Sequence, residues 1–370
     1  MAPGPETQNK IVHVGLVGTG SVAQVIHLPT LALMSHLFKV TAVCDISAQS
    51  REHSAKKWGI PKAYASSKEL VQDPNVDLVF VLNNDEYHAP VALEAITAGK
   101  HVLIEKPMAL TFEDADAIAA AAAKAGVVVF IGYMRRYAPA LKQAIELLGG
   151  HEKIEYAKIR DIIGPNALFI PQSGTFPLAF SDYPPTALTE RTEIEEEIYA
   201  RALGNRAHDE TVRALWRLLG GLGSHDLSVM REVLGMPRKA LAAHTRIPRS
   251  RFISAMFDYG SFVCVYETGV DQVGKFDACI EIFAGDKRVK VDYDSPFIKG
   301  LPISIILSSN INGQFVEQKI IPTYEDPYTL EMKELYDAIV ARKKFKSTVE
   351  DARKDIEIFN MVVDALPATS

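Results

Sequence analysis

A chain of 370 residues is longer than one ordinary hydrophobic core, so two domains are expected. Its 48% hydrophobic and 23% charged residues are the balance of a folded globular protein and argue against disorder. A net charge of -6 offers no basic field for nucleic acid and no polybasic anchor for a membrane, so neither is an expected partner.

Met1 to Lys10 is rich in Pro, Gly and polar residues, lacks the apolar stretch of a secretory signal and reads as a flexible tail, residues 1–10. Apolar runs and helical stretches then alternate. Strands are predicted over Ile11–Val17, Lys39–Cys44, Val76–Leu82, His101–Ile104 and Val127–Ile131. Helices are predicted between them over Ser21–Met34, Arg51–Trp58, Ala89–Ala98 and Phe112–Ala125. Continuously apolar strands alternating with helices make a parallel sheet covered on both faces, an α/β doubly wound domain over residues 11–134.

The pattern changes after Tyr133. A helix over Ala138–Leu148 and a strand from Tyr156 to Arg160 are followed by a loop rich in Pro, Ser and Phe from Gly164 to Pro185. Helices are expected over Ala187–Ala202, Asp209–Leu219 and His225–Leu234. Short strands follow over 240–245, 252–257, 262–267, 278–283, 288–291, 303–307 and 314–321, with a turn at Asn310–Gly313. Strands this short and closely spaced predict a largely antiparallel sheet. Residues 135–370 are thus an α+β domain, with 164–218 as a lid or pocket wall whose Phe169, Phe176, Phe180 and Tyr183 offer apolar faces. Helices within 327–366 are expected to pack back on the first domain. The three cysteines, Cys44, Cys264 and Cys279, form no CxxC pair; no metal is expected, and a cytoplasmic protein with reduced thiols fits.

The chemistry concentrates in four places. Gly18-Thr19-Gly20-Ser21-Val22-Ala23 follows a strand and opens a helix. Gly18 permits the tight turn, Gly20 leaves room for a pyrophosphate, Ala23 lets the helix pack closely, and the helix start supplies N–H donors. Asp45 ends the second strand, somewhat further on than usual, where a carboxylate can accept the adenosine ribose hydroxyls. It repels a 2′-phosphate, and Ile46 and Ser47 bring no cation; NAD is favoured, with Arg51 the reason NADP stays open. Asn83 and Asn84 follow the third strand and either contact the cofactor or close a turn; His88, opening the next helix, is by default a cap or packing residue and is counted with Glu105 and Lys106 among the cofactor-binding candidates. Glu105-Lys106-Pro107 lies at the carboxyl edge of the sheet, where ligands bind in such folds; there Lys106 can hold a substrate hydroxyl while Glu105 or Pro107 fixes it.

The glycine motif, Asn83–His88, Ala98–Pro107 and Gly132–Tyr137 together resemble the Gfo/Idh/MocA oxidoreductases, closely over residues 11–137. The likeness continues more faintly in Leu219–Asp226 and Thr348–Ala352. It implies NAD(P) in a Rossmann domain, an open, mostly antiparallel sheet in the second domain, and substrates such as sugars, cyclitols and related alcohols. It carries a catalytic lysine onto Lys106 and the histidine of a D-x-x-x-H motif onto His225. The aspartate of that motif falls on Gly221, so either His225 and Lys106 share its proton work or a different residue supplies it, with Tyr133, Asp161 and Tyr183 as candidates. Arg135 and Arg136, near the domain junction, face an anionic substrate or cofactor, or form salt bridges. The resulting expectation is hydride transfer between nicotinamide and a secondary alcohol or ketone, by a homodimer or homotetramer. A ketone or imine reductase of specialised metabolism and a non-catalytic nucleotide sensor are the alternatives.

Overall fold

The computed structural model describes residues 10–367, so the predicted tail lies, but for Lys10, outside the described residues. The first half contains β1 (Val12–Val17), α1 (Leu28–Leu33), β2 (Phe38–Cys44), α2 (Ala48–Trp58), β3 (Lys62–Tyr64), α3 (Ser67–Val71), β4 (Leu78–Val81), α4 (His88–Thr97), β5 (His101–Glu105), α5 (Phe112–Ala125) and β6 (Val129–Gly132). Six strands pair in the order β3-β2-β1-β4-β5-β6, every neighbour parallel. The order reverses between β1 and β4, which opens a crevice at the carboxyl ends of those strands. Leu78, Val79, Phe80 and Val81 are all buried, as strands covered on both faces require. Helix starts are capped locally: Ser47 accepts the Ser50 amide at α2 and Thr111 the Asp114 amide at α5.

The second half contains α6 (Pro139–Leu148), β7 (Ile154–Ile163), α7 (Asn166–Phe169), α8 (Ala187–Leu203), α9 (Glu210–Leu218), α10 (Ser224–Leu234), β8 (Lys239–Thr245), β9 (Phe252–Asp258), β10 (Val263–Val270), β11 (Phe276–Ala284), β12 (Lys287–Tyr293), β13 (Ser304–Ile311), β14 (Gln314–Ile320), α11 (Pro327–Val340) and α12 (Val349–Asp364). Its eight strands run β14-β13-β12-β11-β7-β10-β9-β8, antiparallel except where β10 pairs with β7. One face is packed and the other open, and β7 shows this as an alternation: Ile154, Ala157, Ile159, Asp161 and Ile163 are buried. Arg160, on the open face, pairs across strands with Glu267 at 3.0 Å.

Helix α11 sends Met332, Leu335 and Tyr336 into the same apolar cluster as Val12, Val14 and Phe38 of the parallel sheet. Three details differ from the sequence expectation. Strand β3 and helix α3 went unforeseen, being short and polar. The helices predicted over 209–219 and 225–234 are one continuous run, because Leu219–Gly223 forms a π turn instead of a break. The 164–185 loop contains the single-turn α7 and a 3₁₀ turn at Ile170–Gln172 before it becomes irregular.

Candidate functional site

Two clusters meet at the carboxyl edge of the parallel sheet. The first surrounds the glycine loop. Gly18 has φ +97, and a Cβ there would sit 2.7 Å from the Leu82 carbonyl oxygen and the Asn83 nitrogen, so only glycine fits. A Cβ on Gly20 would meet nothing within 4 Å: this glycine faces open space. Ala23 is fully buried, Val22 half-buried and Ser21 exposed. Asp45 accepts the Thr19 amide at 2.8 Å, the Thr19 hydroxyl at 3.0 Å and the Ser47 amide at 2.9 Å. Its own carbonyl accepts from Arg51 at 3.1 Å. Across the crevice, the buried Oδ1 of Asn83 has no hydrogen-bond partner among the described residues, and Asn84 is exposed.

An open position over Gly20, a carboxylate at the end of β2 and an orphaned amide oxygen opposite them fit a dinucleotide. Gly20 and the helix start would take the pyrophosphate and Asp45 the adenosine ribose, leaving Asn83 on the nicotinamide side.

The second cluster lies where the two sheets meet. The Lys106 amide donates to Glu105 at 3.2 Å, and Glu105 contacts His27 Nε2 at 2.8 Å. Burial pushes the Glu105 carboxyl up, but the His27 hydrogen bond and the neighbouring Lys106 outweigh it and leave the group below the usual range. His88 is buried with one ring nitrogen 2.7 Å from the Pro107 carbonyl and the other 3.1 Å from that of Asn83. It therefore ties the turn after β5 to the turn after β4. Lys106 reaches across and donates from Nζ to the Gly221 carbonyl at 2.6 Å.

His225 stands one helical turn beyond Gly221. Burial holds its ring well below the ordinary histidine value, with help from the charges of Lys106 and Arg135. Its Nδ1 is buried and unpartnered among the described residues. Behind it, Arg135 bridges Asp161 at 3.0 Å and Asp226. Burial and the facing Asp161 push the Asp226 carboxyl well above its usual value, against the pull of Arg135. One oxygen of each acid and the Tyr266 hydroxyl lack partners among the described residues. A cavity of about 580 Å³ opens beside Gly221, its wall including Asn166, Arg217, Leu222, Arg251 and Val270.

Lys106, Gly221, His225, Arg135 and Asp161 are thus gathered at one seam. Two candidates lie elsewhere. Tyr133 is buried with its hydroxyl bonded to Asp355, and Tyr183 is 54% exposed on the 173–186 segment. Arg136 is held in ion pairs with Glu232 and Asp351. None of the four aromatic residues expected in a pocket lines the cavity: Phe169 packs on Phe276, Phe180 on His53, and Phe176 is 78% exposed. Sequence reasoning missed Asp226, which the adjacent His225-Asp226 pair could have flagged. It also missed Gln24, His27 and Asp182, for which no local signal exists. Among the described residues no cluster of metal-ligating side chains occurs, and no helix is long and apolar enough to cross a membrane. Burial pushes the Cys44 thiol up to about 12, as for a packed, unreactive cysteine.

Residues 12–133 match the model of the Gfo/Idh/MocA oxidoreductase family with its NAD-binding Rossmann fold. The chain is 32% identical over 138 residues to a myo-inositol 2-dehydrogenase of Thermotoga maritima, covering 36% of this chain and 41% of that protein. It is 40% identical over 126 residues to a 1,5-anhydro-D-fructose reductase of Ensifer adhaerens, covering 34% of this chain and 37% of that one. The matched part therefore spans about two fifths of these relatives' length. The fold extends further: a levoglucosan dehydrogenase solved with NADH and levoglucosan superposes with a TM-score of 0.74 at 16% identity, over 96% of this chain and 97% of that one. Residues 12–133 are thus similar to the NAD-binding Rossmann domain of the Gfo/Idh/MocA oxidoreductases, and the likeness of the remainder is one of fold.

Proposed function

We propose that the chain is an NAD-dependent dehydrogenase acting on a secondary alcohol of a sugar, cyclitol or related polyol, or reducing the corresponding ketone. The observation that carries this reading is the Lys106 Nζ contact with the carbonyl of Gly221, one helical turn before His225 and itself part of the cavity wall. When bound, NAD supplies the hydride acceptor. A substrate hydroxyl entering from the cavity would displace the Gly221 carbonyl from Lys106, which then holds the reacting oxygen. His225, kept neutral by burial and by the cations around it, would accept the hydroxyl proton. Inositol and anhydrofructose chemistry among the relatives supports the polyol class. The exposed face of the eight-stranded sheet is the surface on which we would place a homodimer or homotetramer contact, read out by sedimentation.

The test is absorbance of the reduced nicotinamide with NAD or NADP against sugars, cyclitols and sugar acids. Turnover with NAD on a polyol is expected, with Lys106→Ala losing on the order of 10³-fold in kcat. Full activity in Lys106→Ala would remove the catalytic assignment. Silence across the panel together with tight NADH binding would favour a reductase of a specialised metabolite.

A further inference from the structure

The 164–218 segment reaches the cofactor side of the crevice as well as the substrate side. Its stretch 175–182 is fastened at four points, all on the parallel-sheet half. The side-chain amide of Gln24, on the helix after the glycine loop, donates to the Leu178 carbonyl at 2.9 Å and accepts the Leu178 amide at 3.0 Å. Gln24 also holds the Thr19 carbonyl of the glycine loop at 2.8 Å. Lys57, at the far end of α2, donates to the Phe176 carbonyl at 3.1 Å. Phe180 lies on the His53 ring, with centroids 5.5 Å apart. Asp182 accepts from the Ser47 hydroxyl and, at 3.0 Å, from the Gln49 amide. The segment therefore runs from one wall of the adenosine berth, the glycine-loop helix, to the other, the start of α2.

The position of Asp182 has a chemical consequence. Ser47 gives its amide to Asp45 at 2.9 Å and its hydroxyl to Asp182, so the two carboxylates flank a single serine. A ribose held by Asp45 would point its 2′ substituent toward this turn. The Ser47 hydroxyl and the first free N–H groups of α2 are the donors a 2′-phosphate would need. Asp182 takes both, and Ser47 and Gln49 hold its carboxyl below the usual carboxylate range, so it is ionised at neutral pH. Arg51, the cation that could have welcomed a phosphate, spends its guanidinium on the Asp45 carbonyl at 3.1 Å. A phosphate arriving here would have to displace one anion while standing beside another.

We infer that Asp182, brought to the cofactor site by the second half of the chain, is a specificity residue that excludes the 2′-phosphate of NADP and reserves the site for NAD. The inference rests on the dinucleotide reading of the Gly18–Asp45 site. It is tested on the full-length protein by titrating NADH and NADPH through nicotinamide fluorescence, and by displacing NADH with 5′-ADP or 2′,5′-ADP. The parent is expected to prefer NADH and 5′-ADP. In Asp182→Asn, which keeps the shape and removes the charge, and in Asp182→Ala, the NADPH-to-NADH ratio of dissociation constants should fall at least about tenfold. The 2′,5′-ADP ratio should move with it. An unchanged ratio with NADH binding intact would overturn the inference alone. An equal gain for both cofactors would overturn it too, making the segment a simple obstruction. Failure of the parent to bind NADH at all would overturn the dinucleotide reading itself.

Discussion

Gly221 stands where the resemblance to the Gfo/Idh/MocA oxidoreductases implies an acid, and its surroundings say what a carboxylate would do there. The position is exposed, and a Cβ on it would meet nothing within 4 Å. Its carbonyl already holds Lys106 Nζ at 2.6 Å. Gly221→Asp should therefore fold with a stability change below about 1 kcal/mol and place a carboxylate within reach of Lys106. On a polyol substrate, turnover should rise on the order of tenfold, and the pH–rate profile should gain an acid limb from the new group. Equal or lower turnover with NADH binding intact would mean that Lys106 and His225 suffice, and that the chemistry does not await a third group. Asp161 and Asp226 do not fill the gap directly, because Arg135 holds both of them behind His225.

At the scale of the element, the turn between β1 and α1 separates two kinds of glycine. Gly18 is required by the backbone, since its φ of +97 and its 2.7 Å approach to Leu82 and Asn83 leave no room for a side chain. Gly20 is not required by the backbone, since a Cβ there would meet nothing within 4 Å; in the proposed reading the pyrophosphate is what needs it. Gly20→Val should keep the parent's thermal midpoint while weakening NADH at least about tenfold. Gly18→Ala should cost about 1–3 kcal/mol in chemical denaturation even without cofactor. If both variants lost stability equally, Gly20 would be a folding residue and the cofactor argument for it would fail. The same turn shows what a sequence can disclose. β1, β2, β4, β5 and β6 are legible because burial on both faces leaves them continuously apolar, and the glycine loop because its constraints are local. β3, three residues with Lys62 and Tyr64 at its ends, carries no such period. The Leu219–Gly223 stretch reads as a break because glycine weakens helices, yet a π turn flanked by α9 and α10 accommodates it. Asp182 meets Ser47 across 135 positions of sequence and belongs to an irregular segment, so neither spacing nor periodicity could announce it.

For the whole molecule the decisive feature is the seam that fixes α10 against the parallel-sheet half. Arg231 of α10 pairs with Asp355 and, at 3.1 Å, with Asp351 of α12. Tyr133 donates to the same Asp355, and Arg136 joins Glu232 at 2.6 Å to Asp351. This network anchors α10, which carries the half-buried His225 near the charges of Lys106 and Arg135, and folding therefore has a proton cost. In the unfolded chain the imidazole takes a proton near its ordinary 6.5; in the folded protein burial and the two cations delay this to well below that value. Between the two values the unfolded state binds more protons, so this contribution to stability is fully present above about pH 6.5 and is lost as pH falls toward the folded value. Asp226 acts with the opposite sign: its raised folded value lets the native state keep a proton that the unfolded chain releases above 3.8, so its contribution falls as pH rises. The two oppose each other in the parent, and only a difference isolates the histidine. Chemical denaturation of the parent and of His225→Gln, from about pH 5 to about pH 8, should give a stability difference that grows with pH up to about 6.5 and is flat above it. Its slope should not exceed about 1.4 kcal/mol per pH unit, the limit for one proton. A difference independent of pH would mean that His225 protonates freely in the folded state, and a neutral imidazole could no longer be assumed as the proton acceptor beside Lys106.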